Sequence, residues 1–262
     1  FQLKYANELN KLKENGNNIE FFRELAINCN DFNDRKETIN GLLKFAEENN
    51  QDNVKAWAYY FLGWYNFDKT HYYKAAECYM MSNDIFEFVN NRTGLIYACN
   101  GLTNAYCQIG QFKLSNEWGL KGISLCEETE NTDALVTLLI NTGINYIQMK
   151  YFSKGREIFH SLEILDYELT QIQQISCYLA LGEIEINIGE PNLALSYIDN
   201  ALKIESELQI HKDICEIHKL KGMAFLKLNL YDLAEQEFKK SYDFSNEYDF
   251  VYQWLNGQSC IF

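Results

Sequence analysis

Residues 181–203 read Leu181-Gly182-Glu183-Ile184-Glu185-Ile186-Asn187-Ile188-Gly189-Glu190-Pro191-Asn192-Leu193-Ala194-Leu195-Ser196-Tyr197-Ile198-Asp199-Asn200-Ala201-Leu202-Lys203. The segment describes two amphipathic helices joined by a tight turn. Gly182 is the small residue at which the first helix meets a neighbour. Gly189-Glu190-Pro191 closes that helix and opens the next, because glycine tolerates positive φ and proline suits the first helical turn. Ala194 and Ala201 then place two small side chains on one face of the second helix, where backbones approach closely. The same grammar recurs along the chain: Gly222, Tyr231, Ala234, Phe238 and Ser241 in residues 220–241, and Gly143, Phe152, Gly155, Phe159 and Leu162 in 141–162. Residues 101–122 carry Thr103, Phe112, Ser115 and Gly122, and residues 61–82 carry Gly63, Tyr72, Ala75, Tyr79 and Ser82.

The small residues of the first helices, Gly63, Thr103, Gly143, Gly182 and Gly222, are separated by 40, 40, 39 and 40 residues. A fixed period in this range is the signature of a solenoid, in which each helical pair buries its apolar face against the next. On these residues the sequence resembles the tetratricopeptide repeat (TPR) family over residues 55–245. The resemblance implies an all-α, right-handed helical solenoid of about five helix-turn-helix repeats. The family's repeat is about 34 residues, so these units carry roughly six more, or about 9 Å of helix. The family's usual closing proline is also missing, since Pro191 is the only proline. Long repeats of this kind, rich in Asn, Ile and Tyr, resemble the regulatory regions of bacterial signalling proteins such as GGDEF diguanylate cyclases.

Composition narrows the function. The formal net charge is −14 at pH 7, which argues against nucleic acid, because phosphate binding is driven by Lys and Arg. The same charge argues against an anionic membrane surface. No stretch approaches the ~20 apolar residues of a membrane span. The eight cysteines, Cys29, Cys78, Cys99, Cys107, Cys126, Cys177, Cys215 and Cys260, include no Cys-x-x-Cys and no pairing with histidine. They read as free thiols used as small core residues in a reducing compartment, and the chain is expected to be cytoplasmic.

Residues 1–53 are helical in pattern but off the repeat, with a helix from about Arg35 to Glu48 carrying Ile39, Leu42, Leu43 and Ala46 on one face. They are expected to form N-terminal capping helices. Five repeats follow within 54–246, at about 54–88, 93–128, 133–168, 172–207 and 212–246. Residues 247–262 read as a capping helix or a truncated sixth repeat, and Phe250, Trp254 and Leu255 offer an apolar edge for a homodimer.

No pattern for catalysis is present. The fourteen glycines sit at repeat positions rather than in a phosphate-cradling loop, and His71, His160, His211 and His218 have no ligand spacing. No metal and no cofactor are expected, and the chain itself is expected not to be an enzyme. The concave face of the array remains. In TPR arrays the first helices line it, which implies groove positions at Trp57, Tyr60 and Trp64 in the first repeat and Tyr97, Asn100 and Asn104 in the second. The third repeat contributes Ile140 and Ile144. Clustered exposed aromatics mark interaction sites, and Asn100 and Asn104, one helical turn apart, suit a peptide backbone through paired donor and acceptor. The alternative is that the N-terminal helices cover these aromatics as core. The carboxylate clamp of chaperone-binding TPRs does not carry over, because Asn100 stands where the clamp's lysine belongs. Two functional readings follow. One is the sensory or regulatory region of a larger diguanylate cyclase-like protein that binds a protein or peptide; the other is a free-standing intracellular receptor for short signalling peptides.

Overall fold

A computed structural model describes residues 32–165, 167–209 and 213–247. The described residues form eleven α-helices and contain no strand. The chain divides into two compact units, Phe1–Asn145 and Tyr146–Phe262. The first holds α1 (Phe32–Glu48), α2 (Asp52–Asp68), α3 (Tyr72–Phe88), α4 (Arg92–Gln108), α5 (Phe112–Thr129) and most of α6 (Thr132–Gln148). The second holds α7 (Phe152–Ile164), α8 (Gln171–Ile188), α9 (Pro191–Leu208), α10 (Ile214–Lys227) and α11 (Tyr231–Glu247). Helix α1 falls in the segment read as an N-terminal cap. Residues 1–31 of that cap, and residues 248–262 with Phe250, Trp254 and Leu255, lie outside the described residues.

The helices stop at a regular beat. Asn50, Thr70, Asn90, Gly110, Glu130, Lys150, Gly189, Gln209 and Asn229 all have positive φ, and most are twenty residues apart. Each ends a helix in the left-handed conformation, and the next N–H commonly reaches back to a carbonyl five residues earlier. Examples are His71 N to Asn66 O at 2.9 Å, Asn91 N to Phe86 O at 2.9 Å and Glu190 N to Glu185 O at 2.8 Å. This 6→1 bond satisfies carbonyls the helix end leaves open. Three helix starts carry a side-chain cap. Asn91 Oδ1 accepts from the Gly94 amide at 2.9 Å, Asn131 Oδ1 accepts from the Ala134 amide at 3.2 Å, and Thr170 with Gln173 forms a reciprocal capping box. Pro191 opens α9 as the turn reading requires.

Small residues set the packing. A side chain at Gly182 would meet Ile198 Cγ1 at 2.9 Å, so α8 and α9 approach as closely as the opening segment implied. In the first unit the Tyr79 ring of α3 is wedged between Gly63 of α2 and Gly101 of α4, and a Cβ at either would lie 2.6–2.7 Å from it. The core of this unit joins Ile39, Leu42 and Phe45 of α1 to Trp57 and Phe61 of α2, Phe86 of α3 and Ile96 of α4. The second unit has its own core, in which Ile175 and Ile186 of α8 and Ile198 of α9 meet Ile217, Leu220 and Ala224 of α10.

Candidate functional site

Two adjoining hollows lie in the first unit. Tyr60, Trp64 and Phe67 of α2, Tyr79 of α3 and Asn100, Gly101 and Asn104 of α4 line a hollow of about 220 Å³. Ile96, Tyr97 and Asn100 of α4, with Asn131, Asp133, Ala134 and Thr137 around the start of α6, line a second of about 360 Å³. Asn100 belongs to both. The helical period places Tyr60, Trp64 and Phe67 one turn apart on α2, and Asn100 and Asn104 one turn apart on α4.

The sequence-derived residues divide in this geometry. Tyr60, Trp64, Asn100 and Asn104 come together in the first hollow, and Tyr97 lines the second. Trp57 does not line either one. It is 1 % exposed and forms the hub of an aromatic cluster, with Phe86 at 4.9 Å and Tyr60 and Tyr97 each at 5.6 Å between ring centroids. Ile140 is likewise buried, at 5 % exposure, so the expectation that both face an open groove is corrected. Ile144 is half-buried and lines neither hollow.

The alternative that N-terminal helices cover the aromatics holds in part. Helix α1 packs into the same core as Trp57. Its Arg35 guanidinium lies over the Trp64 ring at 5.4 Å and donates to Asp68 Oδ2 at 2.6 Å.

The polar groups of the hollows are unequal. Asn100 Oδ1 accepts from Asn141 Nδ2 at 2.9 Å, which fixes its amide across α4 and α6. Among the described residues, no hydrogen bond engages the Asn104 side chain. Its amide therefore has a free donor and a free acceptor facing a ring-lined space. Burial, followed by Tyr60 and Asp68 nearby, pushes the Tyr79 phenol well above its usual range, so it stays a neutral hydroxyl. Among the described residues, no Lys or Arg lines either hollow. Tyr79 was not read as a groove residue from sequence. The signal for it was the pair of glycines on the helices either side, which leave room for a large ring.

Among the described residues the buried cysteines are held as thiols. Burial pushes the Cys99 and Cys177 thiols up to about 12 and those of Cys78, Cys107 and Cys126 to about 11, so all five stay protonated near neutral pH. Cys29 and Cys260 lie outside the described residues. No group of metal-ligating side chains is found among the described residues, and none of their helices is long and apolar enough to cross a membrane. His218 is buried with Nδ1 2.6 Å from Glu237 Oε2, an interhelical contact between α10 and α11. Histidine 160 is half-buried in a cleft of about 450 Å³ beside Arg156, whose guanidinium is 3.0 Å from the buried Glu185 carboxylate.

No protein-family model and no curated protein matches the sequence. Solved structures do resemble the fold. The apo quorum sensor NprR from B. thuringiensis aligns with TM-score 0.70 and 12% identity, covering 86% of this chain and 63% of that one. The Rap conjugation gene regulator of plasmid pLS20, in complex with the Phr* peptide, aligns with TM-score 0.63 and 18% identity over 78% of this chain and 56% of that one. BtubC (BKLC) from P. vanneervenii aligns with TM-score 0.65 and 14% identity over 83% and 91% of the two chains. This chain thus spans little more than half of the Rap regulator and under two thirds of NprR. At these identities the likeness is one of fold: a TPR-like array of helical repeats, shared with NprR and Rap.

Proposed function

We propose that this chain is a non-catalytic receptor for short peptides inside the cell, holding an extended segment along the hollows of α2, α4 and α6. The observation that carries the reading is the uncommitted Asn104 amide beside four aromatic rings in a hollow of about 220 Å³. A peptide unit has one donor and one acceptor, which an asparagine side chain matches with both of its own. The rings of Tyr60, Trp64, Phe67 and Tyr79 supply the apolar wall, and Tyr97 extends it along α4. The net charge of −14 favours a neutral or basic segment and disfavours nucleic acid. Likeness to a quorum sensor and to a peptide-bound regulator supports a peptide receptor over the regulatory region of a diguanylate cyclase.

The test starts from a displayed library of random short peptides panned against the full chain. Each hydrogen bond to Asn104 adds a net ~0.5–1.5 kcal/mol. Enriched peptides are therefore expected to bind Asn104→Ala about tenfold more weakly, with Tm nearly unchanged. Peptides that bind parent and variant equally would remove Asn104 from the site, and a chain that enriches none would refute the receptor reading.

A further inference from the structure

The outer face of α3 departs from the pattern of the other repeats. Tyr73, Met81 and Phe88 are 68 %, 47 % and 78 % exposed. At 3.6 residues per turn they fall within about 80° of one another and span about 22 Å of helix. The register set by Gly63, Thr103, Gly143, Gly182 and Gly222 supplies an internal comparison. Phe88 corresponds to Glu128, Glu168, Glu207 and Glu247, a glutamate in each of the other four repeats. Tyr73 and Met81 correspond to Lys113 and Lys121 in the second repeat, and their remaining counterparts are Ser, Asn, Asp or Lys. Packing of the array therefore does not call for large apolar side chains at these positions. Three of them aligned in water on one helix mark a contact surface. Acidic groups are interleaved with them. Glu77 and Asp84 lie on the same stripe, Glu87 borders it, and all three are exposed. Among the described residues no ion pair neutralises these carboxylates, and α3 carries a single cation, Lys74.

We propose that this face docks an amphipathic helix of a partner protein, one whose apolar seam is flanked by Lys or Arg. A straight apolar stripe on a helix accepts another helix, ridge into groove. The interleaved carboxylates select basic flanks and disfavour acidic ones. The same charges disfavour a second copy of this chain. A two-fold pairing that sets Tyr73 against Phe88 of a second copy also sets Glu77 against Asp84, and does so twice. The one compensating contact, Lys74 with Glu87, falls at the solvated ends of such a pairing, where an ion pair contributes little. Tyr79, which lines the first hollow, stands on the opposite side of α3. A helix docked on the outer face and a peptide in the hollow therefore do not compete.

The probe is a synthetic helix of about 18 residues, long enough to cover the stripe at 1.5 Å per residue. It carries Leu at three- and four-residue steps with Lys and Ala elsewhere, and binding to the full chain is read by fluorescence anisotropy. Met81→Asn with Phe88→Glu installs the residues that the fourth repeat holds at these positions, Asn200 and Glu207. Binding is expected to fall at least tenfold in this variant with Tm unchanged. Tyr73→Ser, the residue of the third repeat, is an independent variant expected to weaken binding in the same direction. Glu77→Gln with Asp84→Asn is expected to weaken it several-fold and to flatten its salt dependence. A parent chain that does not bind the probe would overturn the proposal, as would equal binding by parent and variants. Equal binding of a peptide with the same composition in scrambled order would also overturn it. A parent that sediments as a dimer, with Met81→Asn/Phe88→Glu a monomer, would assign the face to a second copy instead.

Discussion

Gly101→Ala probes the contact on which both the repeat packing and the first hollow depend. The added methyl would lie 2.7 Å from Tyr79 Cδ1 and Cε1 and 2.8 Å from Cζ. The ring cannot retreat, because Gly63 on the opposite helix leaves it no more room, with a Cβ there meeting Cε1 at 2.6 Å. Tyr79 is 4 % exposed, so no rotamer into solvent relieves the clash without opening the core. Overpacking of this kind costs about 1–3 kcal/mol. Replacing a mid-helix glycine by alanine returns about 0.8–1.0 kcal/mol of helix propensity. The balance is a net loss of up to about 2 kcal/mol, read in urea melts as a lower midpoint at unchanged slope. The cycle with Tyr79→Leu identifies the cause. With the ring removed, Gly101→Ala is expected to stabilise by about 1 kcal/mol, because only the propensity gain remains. A Gly101→Ala protein that is more stable than the parent in the Tyr79 background would refute the wedge.

Further outcomes follow from the helix ends and from the last helix pair. Thr70 is β-branched and held at φ 59°. Thr70→Gly relieves a left-handed cost of about 1–2 kcal/mol, partly offset by the freer unfolded chain, and a Tm gain of a few degrees is expected in calorimetry. At Glu237, burial works against the charged form, but hydrogen bonds from Lys240 and His218 outweigh it and hold the carboxyl below its ordinary 4.5. A depressed carboxylate contributes stability above its unfolded pKa and loses it as pH falls through the folded one. Glu237→Gln should therefore be less stable than the parent at neutral pH, with the gap closing below about pH 4.5. A constant gap across the acid range, measured by urea melts at stepped pH, would contradict that assignment.

Much of the fold was legible because repetition amplifies weak local signals. One glycine such as Gly182 says little, but five small residues at a 40-residue spacing fix helix pairs and their contacts. The helix stops were less visible. Only Gly110 and Gly189 are glycines among the left-handed residues, while Thr70, Glu130 and Lys150 are held in that conformation where the next N–H closes a 6→1 bond. The site was legible as a helix face and not as a surface. Heptad-like spacing puts Trp57 beside Tyr60 and Trp64, but burial depends on partners distant in sequence. Phe86 and Tyr97 close over Trp57, whereas Trp64 keeps an edge in the hollow beneath Arg35. Nothing in the spacing of α4 announces that Asn141 claims the Asn100 oxygen and leaves Asn104 free.

That a short peptide lies in the hollows of α2, α4 and α6 is a proposal with a direct readout. Residue-resolved amide exchange tests it most directly, on the full chain with and without a library-selected peptide at saturation. Protection is expected to rise around Tyr60–Phe67, Tyr97–Asn104 and Asn131–Thr137, the residues that line the two hollows. A peptide that binds and protects only α8–α11, leaving those three segments unchanged, would contradict it.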